Sequence, residues 1–456
     1  MYEEHENTAQ ITGRVLIVGD LVLDAPLLIG AGDGGDDRGA DEDIRVLKGK
    51  EGPFIPGTSL CGVLREFLRS HEDGKNAVKT LFGEMDEGQS MIAVNDVPLS
   101  GAKIVTRDGV GIDGVTGVGV DGAKYDYEAV ERGAHGKFQL LVTRRRCHEG
   151  DWAGIYDNLL LLREKMEDGL SLGAITAKGF GKVHAENVQS GFYDFHKKED
   201  VFSWLEQEDP SPENASDRMT GKSGKSLAAA EELVVEADFA LRGSIIVRDY
   251  GRQKAVPGKD NKMYDAVSIM SGDRYVLPGT SLKGVLRHQA EHILRRLGVD
   301  SSFLKDLMGF SENDDKKKSR FQVEESLLQN IREAGQTRVR IDRFTGGALE
   351  SALFDNEPLW QEKDDSAVQL RFRIKNAQPK EIGLALFLLR DLWQGRVAVG
   401  GEKSVGRGVL RGMGGVIRYG AKTYRLDKNG NPSEGRKELQ EYVDELLKDA
   451  KKEAIQ

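Results

Sequence analysis

Apolar residues crowd together or alternate in four stretches of the chain, and each stretch reads as a strand: "GRVLIVGDLVL" (13–23), "KFQLLVT" (137–143), "EELVVEADFAL" (231–241) and "AVQLRFRI" (367–374). Four others space their apolar residues three and four apart, as helices do: "GTSLCGVLREFLRS" (57–70), "YDNLLLLREKMEDGL" (156–170), "GTSLKGVLRHQAEHILRRL" (279–297) and "KEIGLALFLLRDLWQ" (380–394). The sequence strand, helix, two strands, helix, strand occurs twice. It predicts an α+β fold of two tandem ferredoxin-like (RRM-like) domains, each an antiparallel or mixed sheet with helices on one face. Near the end, Leu439, Tyr442, Val443, Leu446, Leu447 and Ala450 share one stripe of an amphipathic helix. That helix is expected to pack on the second domain or on a neighbouring subunit.

The halves also repeat motif by motif. "FIPGTSLCGVLR" (54–65) and "VLPGTSLKGVLR" (276–287) are near-copies. Gly57 pairs with Gly279, Gly83 with Gly309, Asp113 with Asp342 and Gly179 with Gly406, so the offsets are 222 (279 − 57), 226 (309 − 83), 229 (342 − 113) and 227 (406 − 179). Order and spacing are both kept, which chance motifs would not do. Duplication predicts a first domain over 10–205, a linker over 206–231, a second domain over 232–430 and a terminal helix over 431–456. The polar, proline-bearing segment 206–226 reads as a solvated linker.

In each copy a strand stops at Pro56-Gly57 or Pro278-Gly279, because proline lacks an N–H and glycine accepts angles other residues avoid. Thr58-Ser59 and Thr280-Ser281 would then cap the helix, leaving its N-terminus as an anion site. Arg65 and Arg287, with Lys283 in the second copy only, suit a phosphate backbone.

The remaining bulk properties narrow the class. A chain of 456 residues that is 39% hydrophobic can bury two or three cores. No apolar run approaches the length of a membrane span and the first residues lack a signal pattern, so a cytoplasmic protein is expected. Only Cys61 and Cys147 are present, too few for a disulfide framework or a zinc site. A net charge of −10 argues against indiscriminate coating of nucleic acid, although a local basic groove is compatible with it. "GKSGKS" (221–226) fails as a phosphate loop, because the required glycine is Met219 or Ser216. "HQAEH" (288–292) matches an inverted zinc-peptidase pattern, but its repeat partner "EFLRS" has no histidine, so it reads as a half-exposed helical face.

With "PGTSL" after its first strands, a central "IDRFTGGALESALF" (341–354) and a late "GGEKSVGRG" (400–408), the chain resembles the RAMP superfamily. More specifically it resembles the Cas-seven-type backbone subunits of type III CRISPR effectors, joined here in tandem. The resemblance implies a protein that winds along a guide RNA, captures complementary target RNA and sits among other effector subunits. Each domain would insert a β-hairpin thumb, and the glycine-rich loop and the "PGTSL" helix would face guide phosphates. Lys178, Lys182, Lys403 and Arg407 supply charge beside the glycines, whose N–H groups would approach phosphates closely. Arg338, Arg340 and Arg343 read as one face of a strand, and Phe344 offers a ring for stacking on a splayed base. The first copy departs here, with Gly114 and Val115 in place of Arg343 and Phe344.

The resemblance further implies metal-dependent cutting of the target by an aspartate on the loop before "PGTSL", with Mg²⁺ (or Mn²⁺) as cofactor. Asp43 lies 12 residues before Ile55 and Asp265 lies 12 before Leu277. This shared register selects Asp43 and Asp265 as catalytic and metal-holding residues over Asp36, Asp37 and Asp260, with Asp41 as the alternative in the crowded first loop. Arg45 and Lys262 are candidate charge partners. A purely structural guide-binding subunit is the alternative reading, and a guide-processing ribonuclease a third.

Overall fold

The computed structural model describes residues 8–31, 44–71, 74–84, 89–113, 119–207, 209–227, 231–259, 262–312, 315–448 and 450. The long strand Ile11–Leu23, with Val15, Leu16 and Ile17 all buried, lies at the centre of the first sheet, between His135–Arg145 and Lys182–Asp194, both antiparallel to it. Ile92–Val94 joins one edge and Leu170–Ser171 the other. The second sheet repeats this order with Phe321–Glu324, Val368–Ile374, Leu233–Arg242 and Val409–Tyr419, and adds Lys422–Leu426 at its far edge. This is the ferredoxin-like arrangement, present twice. Helices Gly57–Arg69 and Trp152–Asp168 cover the first sheet, Gly279–Leu297 and Pro379–Trp393 the second. Leu60, Leu64 and Leu68 bury one stripe in the first half, Leu282, Leu286 and Ala290 the matching stripe in the second. Helix Pro379–Trp393 starts with proline in its first turn and a capping box between Gln378 and Glu381.

Two expectations change and a third holds. The "PGTSL" helices begin at Gly57 and Gly279, with Pro56 and Pro278 as N-caps and no side-chain cap from Thr58, Ser59, Thr280 or Ser281. Glycine stands first because a Cβ on Gly57 would lie 2.2 Å from the Val94 carbonyl oxygen. Segment 206–226 is not a solvated linker over its length. Met219 is buried in the first core, Asp217 bridges to Phe192, and the Arg163 guanidinium on helix Trp152–Asp168 donates to the Met219 and Gly221 carbonyls. The N–H groups of Ser223 and Gly224 donate to Glu164 and Asp157 at 2.6 and 2.8 Å, so "GKSGKS" is tied to that helix. The terminal helix is Arg436–Lys448; it packs on Pro379–Trp393, with Leu439 and Leu446 buried.

Each half inserts a long hairpin between the second and third strands of its sheet: Ile104–Ile112 with Gly119–Val130, and Gln336–Ile341 with Ala348–Glu357. The halves themselves are stitched together. Lys178–Gly179, from the first half, runs parallel to Phe321–Glu324 and extends the second sheet at its edge.

Candidate nucleic-acid interface

The second hairpin projects its tip into solvent. Asp342 organises the turn by accepting the N–H groups of Phe344 and Thr345 at 2.8 and 2.7 Å, bonds that hold its carboxyl below the usual carboxylate range. The turn thereby fixes the backbone of Phe344 while leaving its ring 99% exposed. An aromatic ring held in water at a rigid tip costs hydrophobic free energy unless a partner covers it. Val339, Ile341, Leu349 and Leu353 add exposed apolar surface along the same hairpin. Arg340 lies on the strand and Arg343 in the turn rather than on a shared strand face; both are exposed and neither pairs with a described residue.

The other cations predicted to meet RNA divide into free and committed groups. Lys403 is exposed with no ion pair to a described residue, and Lys178 is half-buried and likewise unpaired. Arg407 is 3% exposed, and its guanidinium is consumed by Glu402, Ser244 and Gln336 at 2.7, 2.6 and 2.6 Å. Arg338 pairs with Glu402 at 2.5 Å and lies over the Phe354 ring. Lys182 pairs with Glu324 at 2.8 Å across the two halves. Arg65 and Arg287 perform one job twice, donating to the carbonyls of Gly83 and Gly309 at the ends of the following helices. Lys283 is 6% exposed and donates to the Phe321 carbonyl at 3.0 Å; burial, with Lys178 and Arg287 near, pulls its ammonium down to about 7.

The glycine-rich segments also answer to their own packing. A Cβ on Gly181 would lie 1.8 Å from the Leu172 carbonyl oxygen, and one on Gly408 1.8 Å from that of Val399. Their N–H groups are already bonded, to the Pro26 and Ser244 carbonyls at 2.7 and 2.8 Å. They are therefore not open donors for phosphate. Thr58 is exposed, and Ser59, Thr280 and Ser281 are partly so, at helix starts. In the first half the leading N–H, that of Gly57, is taken by Asp96 at 2.8 Å.

Asp265 stands at the root of the second hairpin, exposed in a groove shared with Arg248, Tyr250, Phe354, Asn356, Gly401 and Glu402. One of its carboxylate oxygens accepts the Asp355 N–H at 2.7 Å, and its own N–H donates to the Asp355 carbonyl at 2.8 Å. Lys262, expected to flank Asp265, instead pairs with the Asp355 carboxylate, together with Lys259 and Thr337. Asp43, Asp41, Asp36, Asp37, Asp260, Gly114 and Val115 lie outside the described residues. The neighbour of Asp43 is informative, because Ile44 bridges to Tyr127 in parallel as Ala266 pairs with Asn356. Those partners are 229 apart (356 − 127), the offset of the hairpins, and Ile44 and Ala266 are 222 apart (266 − 44), the offset of the "PGTSL" helices.

Among the described residues, no group of three or more His, Cys, Asp or Glu could hold a metal ion, which applies also to "HQAEH". Asp265 can offer one carboxylate oxygen not engaged by a described residue. That fits Mg²⁺ or Mn²⁺ only where phosphate oxygens and water supply the remaining ligands, an arrangement magnesium favours.

Sequence reading missed three features. Glu402, at φ 53°, gathers Arg338, Asn356 and Arg407 beneath the hairpin. Tyr250 lies under the cations of Lys124, from the first hairpin, and Arg248. A buried network joins the first hairpin root to the second half: Ser271 donates to Glu131, Arg132 bonds Ser271 and Glu325, and Arg107 lies 3.5 Å from both glutamates. Burial pushes the Glu325 carboxyl up, against the pull of Arg107 and Arg132.

Two segments, residues 20–184 and 221–411, match the RAMP superfamily. The chain belongs to that superfamily. Membership points to a CRISPR-associated RNA-binding subunit, and two matched segments on two like sheets are what a tandem fusion gives. No curated protein matches the chain. No helix among the described residues is long and apolar enough to cross a membrane.

Proposed function

We propose that this RAMP protein is a backbone subunit of a type III CRISPR effector, binding guide RNA and cutting complementary target RNA at up to two sites with Mg²⁺ or Mn²⁺. The observation that carries the reading is the fully exposed Phe344 ring on a turn braced by Asp342, with Arg340 and Arg343 free beside it. Such a tip can replace a base in a stack while its cations meet phosphates. Displacing one base pair frees the target backbone to rotate so that its own 2′-OH lines up for attack. Asp265 and, by register, Asp43 would hold the cation, which neutralises charge developing on the scissile phosphate. Lys403 and the half-buried Lys178 are the remaining candidates for guide phosphates.

The net charge of −10 and the altered first hairpin, which has Gly114 and Val115 where the second has Arg343 and Phe344, favour a second reading, an architectural guide-binding subunit without cleavage. Assembled complex, incubated with target RNA with and without EDTA, separates the two. Two EDTA-sensitive products, one lost on Asp43→Ala and the other on Asp265→Ala with target binding intact, are expected. An unchanged product ladder in both variants would reject Asp43 and Asp265 as the cutting residues, and no product with or without EDTA would reject the cleavage reading.

A further inference from the structure

The loop preceding "PGTSL" in the second half has two anchors, of which Asp355 takes the larger share. Its two described arms pair with each other, with the Tyr264 N–H on the Lys254 carbonyl at 2.9 Å and a bridge between Ala255 and Met263. Lys254 ties one end to Glu333 and Glu357. The rest converges on Asp355, whose carboxylate is 1% exposed. Lys259 reaches it at 2.9 and 3.1 Å, Lys262 and Thr337 reach it from either side, and its main-chain N–H and carbonyl grip Asp265. A desolvated carboxylate needs such partners, and removing it would leave two ammonium groups facing each other over the hairpin root.

We propose that Asp355 is the positioning residue for the second cut: one buried side chain gathers Lys259 and Lys262 while its peptide fixes a carboxylate oxygen of Asp265, so acid and cations are set by a single point. The proposal rests on the reading of Asp265 given above. The first half is built differently at the equivalent place. Asp126, 229 positions earlier (355 − 126), faces Asp108 rather than a threonine, with Lys124 at 2.8 Å from Asp108 and 3.6 Å from Asp126. The first cut therefore serves as an internal control.

The test uses assembled complex and target RNA with each product followed separately. Asp355→Asn should slow the second cut about 10- to 100-fold, the scale of a misplacement of about 1 Å, with target binding and the first cut unchanged. Asp355→Glu should restore part of the rate. A second readout needs no metal: with EDTA present, amide hydrogen exchange over residues 254–265 should rise about 10-fold in Asp355→Asn. Thr337→Val, which removes the hydroxyl's bonds to Asp355 and from Lys259 but no charge, should slow the same cut about 3-fold and stands in if Asp355→Asn fails to assemble. An unchanged second cut in Asp355→Asn, or unchanged exchange, overturns the proposal where Asp265→Ala does abolish that cut. If Asp265→Ala leaves both cuts, the assignment of Asp265 falls and the proposal with it.

Discussion

Lys178 and Val323 belong to different halves of the chain yet are neighbours in a parallel ladder. The strand edge of the second sheet is thereby closed by the glycine-rich loop of the first half, which removes an open edge and fixes how the halves sit. Gly279 is part of the same contact, because a Cβ there would lie 2.2 Å from the Lys178 carbonyl oxygen and 3.1 Å from the Gly179 nitrogen.

Gly279→Ala should therefore destabilise the chain, by about 2 kcal/mol on the scale of overpacking. That corresponds to a melting temperature about 4–8 °C lower for a domain of this size. Gly62→Ala and Gly284→Ala, inside helices with open space around the added methyl, are the controls. Each should be neutral or stabilising by up to about 1 kcal/mol. Scanning calorimetry of the three variants checks the pattern; equal shifts for all three would reject the packing argument.

The tandem fold was legible because periodicity and repeated motifs report burial, and burial is shared by both copies. Leu60, Leu64, Leu282 and Leu286 face their cores as their spacing demands. What the chain alone hid was the state of its polar groups. Arg407 and Lys403 are four apart in one loop, yet one is sealed by Glu402, Ser244 and Gln336 and the other is exposed. Partners 71 and 163 positions away decide that difference, and no local pattern carries it. A phenylalanine in a sequence does not say whether it is core or exposed, and the Asp342 turn shows Phe344 standing clear.

Because Phe344 contacts solvent, Phe344→Ala should leave the melting temperature unchanged. It should weaken capture of complementary target by about 1–3 kcal/mol, the worth of one stacked base, or roughly 5- to 150-fold. Fluorescence of 2-aminopurine at the displaced position would rise less on binding in the variant. Equal affinity and equal fluorescence would remove Phe344 from the interface.

The free and committed cations make opposite predictions in salt. Replacing Arg340, Arg343 or Lys403 by Ala should each lower the slope of log K against log salt by about 0.7, one phosphate contact on a single strand. Arg407→Ala should leave that slope alone and instead lower the melting temperature, since it strips Glu402 of a buried partner. Fluorescence anisotropy with guide RNA at four salt concentrations distinguishes the two classes.

At the junction, Glu325 neutralises Arg107 and Arg132 where all three are buried or nearly so. Glu325→Ala leaves Arg107 without one of its two carboxylates and should cost about 3–5 kcal/mol. Since the network joins the first hairpin root to the second half, the loss should also split a single thermal transition into two. A single transition at the wild-type temperature would show that the halves are held without it.

Lys283 gives a pH dependence of definite sign. Its ammonium falls from an ordinary value of 10.5 to about 7 in the folded chain, chiefly through burial, with Lys178 and Arg287 adding repulsion. Above the unfolded value the lysine is neutral in both states and carries no penalty. As pH falls toward about 7 the unfolded chain takes up the proton and the folded one resists, so stability is progressively lost; below that the loss is complete. The first half has already avoided this cost, for Cys61 stands at the matching position, 222 earlier (283 − 61). Lys283→Met should accordingly melt higher than the wild type at neutral pH, although it gives up the bond to the Phe321 carbonyl. The gap between the two should be widest at and below about pH 7 and close as pH approaches about 10. A gap that stays constant across that range would mean that Lys283 keeps its charge when folded, with an anion supplied beside it.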